Sequence, residues 1–145
     1  MDATTGFRSL CSVARQFMQA LDALHGAYVV HNAVRPHSIV LCRVATALQV
    51  PKLRNFSAAC VIGEERPETW TASLSPYSAP ELWLAAASDS HVQATSEADM
   101  FSAGVVLAEM FSGASVQVRP GGRGGGGSTG GVFLAAWLHV RVRSL

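Results

Sequence analysis

Few side chains in this sequence stand at the spacings that chemistry needs. His25, His37, His91 and His139 fall at no metal-ligand spacing, so no metal site is expected among them. Cys11, Cys42 and Cys60 are odd in number and include no C-x-x-C pair, which argues against a disulfide framework and against a zinc site. Three reduced thiols are expected. The run from Gly121 to Gly131 could suggest a phosphate cradle, but it follows no strand and lacks the G-x-G-x-x-G arrangement. It reads as a flexible linker. Thr69, Thr71, Ser73 and Ser75 offer hydroxyls for phosphorylation. What remains is the stretch from His31 to Val40, an irregular loop around Pro36 between two short apolar runs.

The elements that would hold that loop are legible from periodicity. Leu10, Ala14, Phe17, Leu21 and Leu24 alternate spacings of four and three, which predicts one stripe of a helix from Phe7 to His25, stopped by Gly26. Tyr28-Val29-Val30 and Ser38-Ile39-Val40-Leu41-Cys42 read as short strands, and Leu48 to Leu53 as a partner that closes a hairpin with the second. Asn55 to Ser78 holds no period and reads as a long loop. Pro80 to Ala87 is a short helix. Ser96-Glu97-Ala98-Asp99 has the capping-box pattern and opens a helix to Phe111 that is apolar almost all round. Val132 to Leu145 is apolar, ends in the alternation Val140-Arg141-Val142-Arg143, and finds no strand upstream to pair with. The fold class expected is mainly α with a small β-hairpin, α+β.

Bulk properties narrow the setting. The 145 residues suit one domain, and 49% hydrophobic against 14% charged residues is apolar for one. A net charge of +1 with scattered cations favours no nucleic acid and no acidic partner. No signal peptide is evident near Met1, and no apolar segment reaches the ~20 residues of a bilayer span. No membrane association and a cytoplasmic setting are the default expectations.

Four landmarks then arrive in order. His31-Asn32-Ala33-Val34-Arg35-Pro36-His37-Ser38-Ile39-Val40, directly after an amphipathic helix, resembles the protein-kinase catalytic loop H-R-D-L-K-P-x-N. Lys52-Leu53-Arg54-Asn55-Phe56-Ser57 is similar to the segment carrying D-F-G, and Ser78-Ala79-Pro80-Glu81 contains A-P-E. Asp99-Met100-Phe101-Ser102-Ala103-Gly104-Val105 is similar to the start of the buried central helix. The resemblance covers about Phe7 to Gly113 and implies a partial protein-kinase large lobe, without the small lobe and the last helices. The organisation expected is a kinase-like portion over 1–113, a Gly-rich linker over 114–131 and a short tail over 132–145.

The resemblance also implies what each position would do, and here the sequence departs from the pattern. Ala33 stands where an Asp would accept the substrate proton, a loss that typically costs ~10²–10⁴ in rate. Asn55 replaces the D-F-G Asp, Ser38 the magnesium-binding Asn, and Arg35 the catalytic-loop Lys. Asn32 replaces the Arg that receives an activation-loop phosphate, so no phosphorylation switch is expected. His31 and Phe56 resemble one apolar spine and Asp99 its anchor. Ile39, Val40 and Leu41 with Val106 and Met110 resemble the spine beside the adenine. Glu81 would pair with an Arg of a later helix and is expected to lack that partner, the nearest substitutes being Arg141 and Arg143.

The reading that follows is a pseudokinase without enzyme activity and without cofactor, where the family would use ATP and magnesium. It would bind other proteins through exposed apolar surface, as a scaffolding module of marginal stability. Two alternatives stand beside it: part of a serine/threonine kinase domain that transfers phosphate in a complete form, and a truncated gene product with no function of its own.

Overall fold

The computed structural model describes residues 3–43, 49–113, 115–117 and 141–143. The first element is α1, Ala3–Gly26, which starts earlier than its apolar stripe. The stripe is the face turned inward: Ala14, Phe17 and Leu21 are buried, and Leu10 and Leu24 half-buried. After β1, Val29–Val30, and a tight turn at Pro36–Ser38, β2 (Ile39–Arg43) and β3 (Gln49–Leu53) pair antiparallel with Ile39 opposite Leu53 and Arg43 opposite Gln49. This is the expected hairpin. Its connection, 44–48, lies outside the described residues.

The stretch read as one long loop is more ordered than its sequence suggests. Cys60–Val61 forms β4, antiparallel to β1 with Val30 opposite Cys60, and Glu68–Ser73 winds as a 3₁₀ helix. A two-residue strand is too short to carry a period of two, so its sequence holds no signal. Helix α2, Pro80–Ala87, starts on a proline, whose fixed φ suits the first turn. Helix α3 runs Ser96–Ser112 and ends at Gly113, whose left-handed φ of 66° suits glycine.

Two expectations are corrected. The capping box does not form: Thr95 is the N-cap without a side-chain bond, Ser96 Oγ donates to Glu97, and Asp99 serves another part of the chain. The tail does have a partner. Arg141–Arg143 (β6) pairs antiparallel with Ser115–Gln117 (β5), three residues of the stretch expected to be linker. Most of the Gly-rich and apolar runs between them, 118–140, lie outside the described residues.

The described residues thus combine three α-helices with three two-stranded antiparallel sheets, a mixed rather than mainly helical arrangement. Helix α3 joins its two cores. Ala103 and Val106 pack with Phe17, Leu21 and Val34, while Ala98 packs with Ala79 and Leu82. It is not enclosed on all sides, since Met100 and Phe111 are exposed. No described helix is long and apolar enough to cross a membrane.

Candidate active site

The loop from His31 to Ser38 hangs between β1 and β2, and a buried carboxylate on α3 holds its start. Asp99 is 1% exposed. The backbone N–H groups of His31 and Asn32 donate to its two oxygens at 2.7 and 2.9 Å, and His25 Nε2 stands 3.1 Å from Oδ2. A buried carboxylate needs such donors, and these draw the end of α1, the loop and α3 to one point.

His31 is fully buried and bridges onward. Its Nδ1 accepts the Ala33 N–H at 3.3 Å, so the proton sits on Nε2, which donates to the Arg54 carbonyl at 3.0 Å. The imidazole also packs against Phe56, with ring centroids 4.9 Å apart. Asn32 adopts φ 62°, a region asparagine tolerates, and its Nδ2 donates to the Ala58 carbonyl at 2.9 Å and approaches Cys60 Sγ at 3.0 Å. Arg54 N–H donates to the Ser38 carbonyl and its Nε to that of His37, both at 2.9 Å. Loop and following segment are fastened together.

Between them lies a pocket of about 290 Å³ lined by Ala33, Arg35 and Asn55, with Asn32, Ser57 and Trp70. Ser38 is not part of it. Its hydroxyl accepts the Arg35 N–H at 2.9 Å and donates to the Arg35 carbonyl at 2.8 Å, which turns the oxygen into the loop. Asn55 lies at φ 65° and its Oδ1 accepts from Ser57 Oγ at 3.1 Å. Among the described residues the one full charge on the walls is the Arg35 guanidinium, whose Nε is buried without a hydrogen-bond partner there. Ala33 offers no oxygen to take a proton. The walls can bind and orient an anion or a hydroxyl.

A second, apolar groove of about 570 Å³ opens among α1, the hairpin and α3. Ile39, Leu41, Val106 and Met110 line it, beside Leu10 and Val13. Val40 does not, because successive strand residues face opposite sides.

Sequence reasoning missed Arg66. It is 6% exposed, and neither Nε nor Nη2 finds a partner among the described residues. Burial holds its pKa below the usual arginine value, against the opposing pull of Cys60, Asp99 and Glu81. Glu81, expected from the sequence to lack its partner, lies in the field of Arg66. Nothing in a lone arginine within an aperiodic stretch announces that position. Tyr77 was also missed. Its hydroxyl donates to Glu109 at 2.9 Å, and its pKa is pushed up to about 12, first by burial and then by that bond and the Glu109 charge.

Fold and loop together define a kinase-like domain, and comparison with known proteins agrees. The protein kinase domain family matches residues 5–121. The serine/threonine-protein kinase pak-2 of Caenorhabditis elegans is 32% identical over 72% of this chain and 18% of its own length. Cyclin-dependent kinase 4 of Ovis aries is 32% identical over 67% of this chain and 29% of its own. The serine/threonine-protein kinase ppk5 of Schizosaccharomyces pombe is 33% identical over 77% and 12%. The chain belongs to the protein kinase family, and it spans less than a third of the length of these curated relatives. The expectation that it is no enzyme is corrected by this match and by relatives named as serine/threonine kinases. The substitutions at Ala33 and Asn55 had suggested otherwise, but they change single groups within a domain whose overall pattern is that of an enzyme family.

The family's reaction uses ATP and magnesium. The oxygens present here do not suit magnesium: Asn55 brings a neutral amide already accepting from Ser57, and Ser38 Oγ is bound to its own loop. No described cluster of acidic, His or Cys residues could hold an ion.

Proposed function

We propose that this chain is the large-lobe portion of a serine/threonine protein kinase domain which, in a complete form, transfers a phosphoryl group from ATP to a protein hydroxyl. The portion comprises about residues 1–113, with the remainder as linker and tail. The observation that carries this reading is the meeting of Ala33, Arg35 and Asn55 in one pocket behind a loop fastened to Asp99. Phosphoryl transfer proceeds through a loose transition state in which positioning and charge dominate. Arg35 supplies charge, and the Asp99 and His31 bonds supply position. With Ala33 in place of a base, transfer is slow. A form extended by a small lobe, assayed with magnesium–ATP and a serine-containing protein, should show a low rate that the double change Ala33→Asp with Asn55→Asp, which supplies both a base and a carboxylate for magnesium, raises by at least ~10²–10⁴. An extended, folded domain inert both as wild type and as the double variant would sink the reading.

The apolar groove fits the same account as the seat for the rest of the domain. The protein-binding role expected from the sequence rests on this face too, through the exposed Leu41 of its wall, with exposed Phe7 and Phe111 on the helices beside it. It loses its support if the groove is covered in the extended form.

A further inference from the structure

The charge of the 290 Å³ pocket is one-sided. Among the described residues Arg35 is the one ionised wall residue, and no Asp or Glu lines the pocket. The Arg35 Nε is shielded from solvent and finds no acceptor among the described residues. A guanidinium with a buried nitrogen left without an acceptor is the group most improved by a carboxylate or phosphate, which it binds through charge-assisted and often bidentate bonds. The usual neutralising groups are absent for a definite reason: the walls facing it carry the methyl of Ala33 and the amide of Asn55. Trp70, half-buried, adds an aromatic wall of the kind peptide side chains pack against.

From this we infer that the pocket is an anion subsite for a peptide, taking an Asp or Glu carboxylate or a phosphoryl group on a residue next to the one presented for reaction. The inference rests on the kinase reading for the word substrate, but the binding it describes requires no reaction. It inverts the electrostatics of a cleft walled by carboxylates, which would repel such a ligand.

Binding is measured on the 145-residue chain by fluorescence anisotropy, without nucleotide. The probes are three labelled peptides of one sequence in which a serine is flanked by Gln, by Glu, or by phosphoserine. Expected is at least tenfold tighter binding of the Glu and phosphoserine peptides than of the Gln peptide. Their ratio tells whether carboxylate or phosphoryl is preferred. Arg35→Gln should abolish the difference while Arg35→Lys keeps part of it, and Asn55→Asp, which adds an acid to the wall, should weaken both anionic peptides about tenfold. Equal affinity for all three peptides overturns the inference. So does an Arg35→Gln variant that still discriminates, or displacement of the anionic peptides by inorganic phosphate alone at the same concentration. Because phosphoryl transfer is assayed separately, an inactive extended domain would strike the kinase reading and leave this binding result standing.

Discussion

Single side chains carry most of what distinguishes this kinase-family chain. Arg66 is a buried cation, two of whose nitrogens find no hydrogen-bond partner among the described residues. Leaving a buried donor unpaired costs about 1–3 kcal/mol. Replacing such a group by an apolar side chain of similar length is often neutral or stabilising. Arg66→Met is therefore expected to leave stability unchanged or raise it by about 1–4 kcal/mol, read as the urea midpoint at constant slope. A loss above about 1 kcal/mol would mean that Asp99 and Glu81 depend on this charge. Tyr77 gives a pH signature. Its pKa is raised in the folded state to about 12, so folding favours the protonated phenol. That contribution is complete below the unfolded value near 10 and is lost as pH rises through about 12. Between those pH values the wild type should lose more stability than Tyr77→Phe. Parallel curves for the two proteins would refute the assignment.

At the scale of elements, the question is why α3 governs the loop. Asp99, 1% exposed, takes two backbone donors from the loop and stands 3.1 Å from His25. Asp99→Ala strands the His31 and Asn32 amides in the interior, and a loss of about 3–5 kcal/mol is expected, as for breaking other buried charged networks. His25→Ala removes one contact and should cost about 1 kcal/mol. Hydrogen exchange gives an independent reading, since the His31 and Asn32 amides should lose protection in Asp99→Ala but not in His25→Ala. What the sequence disclosed follows the same division. The stripe Ala14, Phe17, Leu21 repeats long enough for a period to emerge, and α3 was legible instead from its long, almost unbroken apolar run. The hairpin was legible because each strand spans five residues. β4, β5 and β6 are two or three residues long and depend on register with distant partners, which no local pattern encodes. Asp99 read locally as a capping acid; its real partners lie 67 and 68 residues away, and only the likeness to a kinase helix pointed to them.

For the molecule as a whole, the decisive feature is an apolar groove of about 570 Å³ with Leu41 on its wall, and with large hydrophobic residues left in solvent on the same helices that line it. Phe7 is 61% exposed, Leu41 50% and Phe111 47%, and Phe7 and Phe111 cover each other only in part, with ring centroids 6.2 Å apart. If this face is the seat for the rest of a kinase domain, the same substitution must have two different costs. In the 145-residue chain Leu41 is already half in water, so Leu41→Ala should cost under about 1 kcal/mol. In a form extended by a small lobe, Leu41 becomes a core residue and the same change should cost about 2–5 kcal/mol. Leu21, 0% exposed in the core with Phe17 and Val34 and outside the groove lining, is the control and should cost about 2–5 kcal/mol in both forms. Chemical denaturation of the four variants and two parents separates the terms. A Leu41→Ala cost that is the same in both forms would show that the groove stays open to solvent when the domain is complete. The large-lobe assignment would then lose its structural support even though the family membership would stand.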